Sequence, residues 1–236
     1  WTMGMQVFLN YWGIGPGDEV ILPAYTYCAS ANVIVHAGAT PVMVDINPSD
    51  FNVSVEAVRK AITPKTKAII AVDLAGFPCD YDKLYKVIED AKPQFQGSNE
   101  LQSQLGRILL ISDAAHSFGA TMNGKFSGSL ADISCFSFHA VKNLTTAEGG
   151  AVCLNLPKKF NVDTIYSYLK LLSLNGQTKD AFSKNKPGSW KYDIVLPGMK
   201  LNMPDICAAI GVAQIKKYDN KILLKRESIA NTYLNY

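Results

Sequence analysis

The stretch CFSFHAVKNLTTAEGGAVCLN, Cys135 to Asn155, sets Lys142 between an aromatic-rich strand pattern and a Gly-Gly pair, with Ser137, His139 and Glu148 close by in sequence. A lysine at a strand end is most often a solvated surface residue. A second stretch, LLISDAAHSFGA, changes that reading by placing Asp113 just past a strongly apolar strand. A carboxylate there is costly to bury unpaired and calls for a cationic partner. An acid at one strand terminus and an amine at another suit a bound, cation-bearing ring with an aldehyde between them.

Pyridoxal phosphate (PLP) has that outline. Its aldehyde condenses with a lysine amine, its ring nitrogen is kept protonated by a carboxylate, and its phosphate needs amide and hydroxyl donors. TMGMQVFLNYWG offers a phosphate seat, because Thr2 and Gly4 stand at the front of a helical pattern and a helix N-terminus attracts anions. Such a pair is by itself usually only an N-cap. Ser137, five residues before Lys142, adds a hydroxyl.

The elements that must position these groups alternate. Short apolar segments read as strands: Val20 to Leu22, Pro41 to Ile46, Lys67 to Val72, Arg107 to Ser112, Ile133 to Phe138 and Gly150 to Leu154. Helical patterns at Ala29 to Ala37, Ser54 to Ile62 and Tyr81 to Ala91 lie between them. This order predicts an α/β domain with a mainly parallel sheet covered on both faces, which collects ligands at the carboxyl ends of its strands. Beyond Leu156 the pattern turns to longer helices, Val162 to Leu174, Asp205 to Lys217 and Lys221 to Leu234, with a long Lys-, Asn-, Gly- and Pro-rich loop at Asn175 to Asn202. Lys92 to Gly106 reads as a polar surface insertion.

Composition bounds the partners. A formal charge of +3 over 236 residues is too small and too dispersed for a nucleic-acid footprint, and no apolar run reaches membrane-spanning length. The expectation is a soluble, cytoplasmic protein with neither nucleic acid nor membrane as a partner. The five cysteines are scattered and off metal-ligand spacing, so they read as small buried hydrophobes in a reducing compartment, and no metal site is expected.

GIGPGDEVILPAYTY, AGATPVMVDINPSDFNV, ISDAAHSFGA, SFHAVKNLTTAEGGAV and PGMKLNMPDICAAIGVAQIKK, taken in this order, resemble the DegT/DnrJ/EryC1/StrS family of PLP-dependent aminotransferases acting mostly on nucleotide-linked keto sugars. The resemblance implies the large domain of the type I aminotransferase fold, with a seven-stranded type of sheet. Residues 1–156 would form the cofactor-binding core, and 157–236 a loop and helices leading toward a small domain largely absent from this sequence. It further implies that Lys142 forms the Schiff base, Asp113 pairs with the pyridine nitrogen, Tyr27 stacks on the ring, and Thr2, Gly4 and Ser137 hold the phosphate. His116 would lie near the ring's hydroxyl side and orient the acid, and Asn185 would reach the phosphate of a neighbouring subunit. His139 is read as structural.

The implied reaction passes an amino group from glutamate to a keto group of a nucleotide-linked 4-keto-6-deoxy sugar, in a homodimer with shared sites serving polysaccharide biosynthesis. A non-sugar ketone such as a cyclitol, or a non-catalytic binding protein that keeps the fold, are the alternatives. Three features depart from the family pattern. Trp1 is bulky where a small residue is usual, Asp73 stands where histidine is more frequent, and sequence expected at both ends is missing.

Overall fold

A computed structural model describes residues 1–179 and 190–236. Its sheet has six strands: β1 (Glu19–Pro23), β2 (Thr40–Val44), β3 (Thr66–Val72), β4 (Leu109–Asp113), β7 (Ile133–Ser137) and β8 (Gly150–Leu154), in the order β2-β1-β3-β4-β7-β8. All neighbours run parallel except β8, which lies antiparallel to β7. The six predicted strands are these six, and a seventh is not found among the described residues. A separate two-stranded ribbon joins β5 (Thr121–Met122) to β6 (Lys125–Phe126).

Every residue of β3, β4 and β7 is buried, as an apolar strand covered on both faces requires. Alternation along each strand sends successive side chains to opposite cores. Val20, Leu22, Ala68, Ile70, Leu109, Ile111 and Ile133 enter one core with α1 (Thr2–Tyr11), α2 (Cys28–His36) and α6 (Val162–Leu172). Ile21, Ile69, Ala71 and Leu110 enter the other, with α3 (Val55–Ala61) and α4 (Tyr81–Ala91). Caps fix several helix starts: the Ser54 hydroxyl, Asp80 carboxylate and Asn161 amide oxygen accept from the backbone N–H of Ala57, Lys83 and Thr164.

The segment Lys92 to Gly106 is more than a polar insertion. It folds into α5 (Glu100–Leu105), capped by Asn99 and closed by Gly106 at φ 70°, and it buries Gln102 and Leu105. The side chains of Asn99 and Gln102 donate to the carbonyl of Trp12, so the polar residues tie this segment to the end of α1.

Near the C-terminal end, α7 (Asp205–Ile215) and α8 (Leu224–Leu234) follow, joined through a π-helical turn at Tyr218–Leu223, which takes in the start of the helix expected from Lys221. The apolar pattern of α7 is not core packing in this chain: Gly211 is its one buried residue, while Ile206, Val212 and Ile215 are exposed. Among the described residues no helix is long and apolar enough to cross a membrane. Cys79 and Cys135 are buried as expected, whereas Cys28 is exposed.

Candidate active site

Asp113 is the last residue of β4, and Ser137 the last of the neighbouring β7. Parallel pairing therefore brings both to the carboxyl edge of the sheet, and the chain leaving β7 carries Lys142. The β4–β7 ladder ends at Asp113 opposite Cys135, followed by the bond from Ala114 N–H to the Cys135 carbonyl at 3.0 Å.

The Asp113 carboxylate is 5% exposed. Its Oδ2 accepts from Ser30 Oγ at 3.0 Å and its Oδ1 from the Ala115 N–H at 3.2 Å. Burial pushes its pKa up to about 6; the donors at Ser30 and Ala115 and the charge of Lys142 oppose the rise, while the charge of Asp73 adds to it. Burial lowers the pKa of the Lys142 amine, against the pull of Asp113. Each charge thus acts on the other. His116, half-buried, has its pKa lowered by burial and then by the Lys142 charge.

Tyr27 is the N-cap residue of α2 and its ring is 78% exposed. One turn later the same helix presents Ser30, the donor to Asp113, so a single helix start supplies an open aromatic face and a buried hydroxyl. Ser137 Oγ accepts from the His139 N–H at 3.4 Å, which leaves its own proton available to donate.

Thr2 opens α1, but the N-cap position belongs to Trp1, and no side chain caps this helix. Its first amides are therefore uncommitted. Gly4 has a packing reason as well: a Cβ there would stand 2.9 Å from Val152 on β8. Gly150, the ladder partner of Ser137, has the Trp1 nitrogen 2.6 Å from where its own Cβ would be, so the start of α1 and the end of β7 meet across this glycine. Trp1 packs against the core, and Trp1, Thr2 and Gly4 line a cleft of about 650 Å³ with Glu148 and Gly149. Asn185 lies outside the described residues.

An amine of reduced proton affinity, a buried carboxylate in electrostatic contact with it, an open aromatic ring, two hydroxyls and a helix start with free amides match the donor set that PLP demands. The sequence of residues 2–235 matches the model of the DegT/DnrJ/EryC1/StrS aminotransferase family. The chain belongs to this family. A solved relative 45% identical to it, Spr1654 of Streptococcus pneumoniae, was determined in a PLP form.

Among curated relatives, MJ1066 of Methanocaldococcus jannaschii is 41% identical over 98% of this chain and 55% of its own length. The spore coat polysaccharide biosynthesis protein SpsC of Bacillus subtilis is 36% identical over 98% of this chain and 54% of its own. The Streptococcus pneumoniae protein Spr1654, assigned as a sugar aminotransferase and solved in a PMP form, superimposes with a TM-score of 0.92 at 47% identity, over 98% of this chain and 58% of that one. This member of the family thus spans about half the length of the curated relatives it matches.

Two residues gain partners that the sequence did not show. Asp73, which departs from the family pattern, is fully buried: its carboxylate accepts from the hydroxyls of Tyr81 at 2.7 Å, Ser117 at 2.7 Å and Ser112 at 3.2 Å, and from the Cys79 N–H at 3.0 Å. It anchors the loop after β4. Asn143 went unnoticed, although its position directly after Lys142 was the available signal; its amide donates to the carbonyls of His116 at 2.9 Å and Phe118 at 3.3 Å. His139 is exposed and lies 3.6 Å from Glu148.

Proposed function

We propose that this chain is the cofactor-binding part of a sugar aminotransferase that moves an amino group from glutamate to a keto group on a nucleotide-linked 4-keto-6-deoxy sugar. The observation that carries the reading is the pair of neighbouring strand ends, one bearing a buried carboxylate and the other leading to an amine, with each charge acting on the other. When bound, PLP supplies an aldehyde that accepts amines and a ring that draws electrons from the carbon next to them.

In this reading Lys142 Nζ would hold the cofactor and, as a free amine, would take a proton from the donor's α-carbon and give it back. Its lowered proton affinity favours the neutral, nucleophilic form. Asp113 would hold the ring nitrogen and keep it protonated. Tyr27 covers one ring face. Thr2, the Gly4 amide and Ser137 bind the phosphate, where the start of α1 contributes its favourable dipole. His116 orients the acid side of the ring. The likeness to SpsC and to Spr1654 supports a sugar acceptor and a place in polysaccharide synthesis, and a cytoplasmic homodimer with shared sites completes the proposal.

The test is direct. The purified chain mixed with PLP should turn yellow, and borohydride should bleach it and leave a covalent adduct that peptide mass spectrometry locates at Lys142. Lys142→Ala should carry no adduct at that position. A colourless protein that ignores PLP would instead favour a non-catalytic binding role. With the full-length enzyme, glutamate and a panel of nucleotide-linked keto sugars should release a keto acid; release only with a non-sugar ketone would overturn the acceptor.

A further inference from the structure

Beyond Cys135 and Asp113 the backbone ladder between β4 and β7 stops, and the two chains that carry His116 and Lys142 separate. No strand pairing fixes one against the other from there on. The Asn143 side chain closes this gap. Its Nδ2 donates to both the His116 and Phe118 carbonyls, linking positions 27 and 25 residues apart in sequence. The Phe118 carbonyl also accepts from the buried Tyr218 hydroxyl at 2.7 Å, which holds the far side of the same loop. From below, the Asp73 carboxylate grips Ser117. The loop after β4 is thus fixed to the body of the protein by Asp73 and Tyr218, and Asn143 ties the lysine loop to this fixed part.

We propose that Asn143 is a positioning residue that sets the Lys142 amine against the Asp113 carboxylate through its two bonds to the 116–118 backbone. The inference rests on the PLP reading given above. An amide has two N–H bonds on one nitrogen and so can serve two carbonyls at once. An alanine at 143 leaves both carbonyls without this donor and the lysine loop without this tie.

The distinguishing measurement compares two forms of the cofactor. PLP is retained partly through its bond to Lys142, whereas pyridoxamine phosphate fills the same seat without one. Titrations of the cofactor-free chain with each, followed by absorbance and by borohydride trapping, should show that Asn143→Ala lowers PLP retention by roughly tenfold, the loss that one or two hydrogen bonds carry. Pyridoxamine phosphate affinity should stay within about twofold of wild type, since bonds to the ring and phosphate are untouched. Equal losses for both forms would make Asn143 a general structural residue and overturn the proposal, as would no loss for either. Should Asn143→Ala fail to fold, Asn143→Ser is read by the same two titrations and the same criteria. A wild-type chain that forms no adduct at Lys142 would refute the PLP reading itself; a normal wild type with an indifferent variant would refute only the role of Asn143.

Discussion

Replacing Asp113 by asparagine should stabilise the cofactor-free protein and weaken its hold on PLP. The Asp113 carboxyl is buried, and burial pushes its pKa up to about 6 from an ordinary 3.8. That gap corresponds to about 3 kcal/mol. The direction follows from proton linkage: a raised acid binds its proton more tightly in the folded state, so its contribution is fully present below 3.8 and is lost as pH rises through about 6. At pH 7.5 the ionised carboxylate therefore burdens the cofactor-free fold, and an uncharged amide of the same shape does not. The amide can be satisfied locally. Its oxygen keeps the Ala115 N–H, and its nitrogen donates to Ser30 Oγ, which turns its own proton toward Thr26 Oγ1 at 2.9 Å. Asp113→Asn should thus gain up to about 3 kcal/mol at pH 7.5, a rise in Tm of up to about 10 °C, and well under half of that at pH 4. Urea and thermal melts at the two pH values, with and without PLP, check this. With PLP present the ranking should narrow or reverse, because the ring N–H rewards the carboxylate. A variant that loses stability at pH 7.5, or gains equally at both pH values, would refute the argument that this acid lacks its cation in the free chain.

The lowered proton affinity of Lys142 sets a second expectation. Its neutral amine is the form that attacks, so the rate of PLP capture by the cofactor-free chain should rise with pH to a midpoint below the ordinary lysine value of 10.5; stopped-flow absorbance giving a midpoint at or above that value contradicts the burial described for this amine. In the same loop, Ala147 holds a left-handed backbone at φ 66°, which strains any side chain with a Cβ by about 1–2 kcal/mol, while glycine costs about 0.5–1 kcal/mol in extra chain entropy. Ala147→Gly should therefore stabilise the protein by about 0.5–1 kcal/mol in denaturant melts; a net loss would mean that the loop's bonds already compensate the strain.

Much of the fold was legible because the central strands are apolar along their whole length and α3 and α4 begin at side-chain caps. The placement of Asp113 and Lys142 was legible for a related reason: one ends an apolar strand and the other follows the next, and parallel pairing leaves both strand ends at one edge. The failures share a cause too. Gln102 and Asn99 look like surface residues by type, yet they serve carbonyls at the end of α1, a partner distant in sequence. Asp73 stands out in the sequence as an unusual residue near a site, but its four donors come from three different segments, and only the folded chain shows that they exhaust it. The apolar pattern of α7 predicts burial that the described residues do not provide. Thr2 reads as a phosphate donor, with a cap as the ordinary alternative for a hydroxyl at a helix front; in the fold Trp1 holds the N-cap position and no side chain caps the helix.

The opposite course of β8 has a consequence for how the site could change over time. Where β1 and β3 leave the carboxyl edge, the chain must travel the length of a helix before it returns to the sheet, and altering those connections moves a whole layer. The segment with Lys142 instead turns straight back, its two feet pinned where Phe138 N–H meets the Gly149 carbonyl and Thr146 N–H meets that of Phe138. Apart from Lys142 and Asn143, residues between those feet can be exchanged without relocating any helix, so reactivity can be retuned in one short excursion while the architecture beneath it stands still.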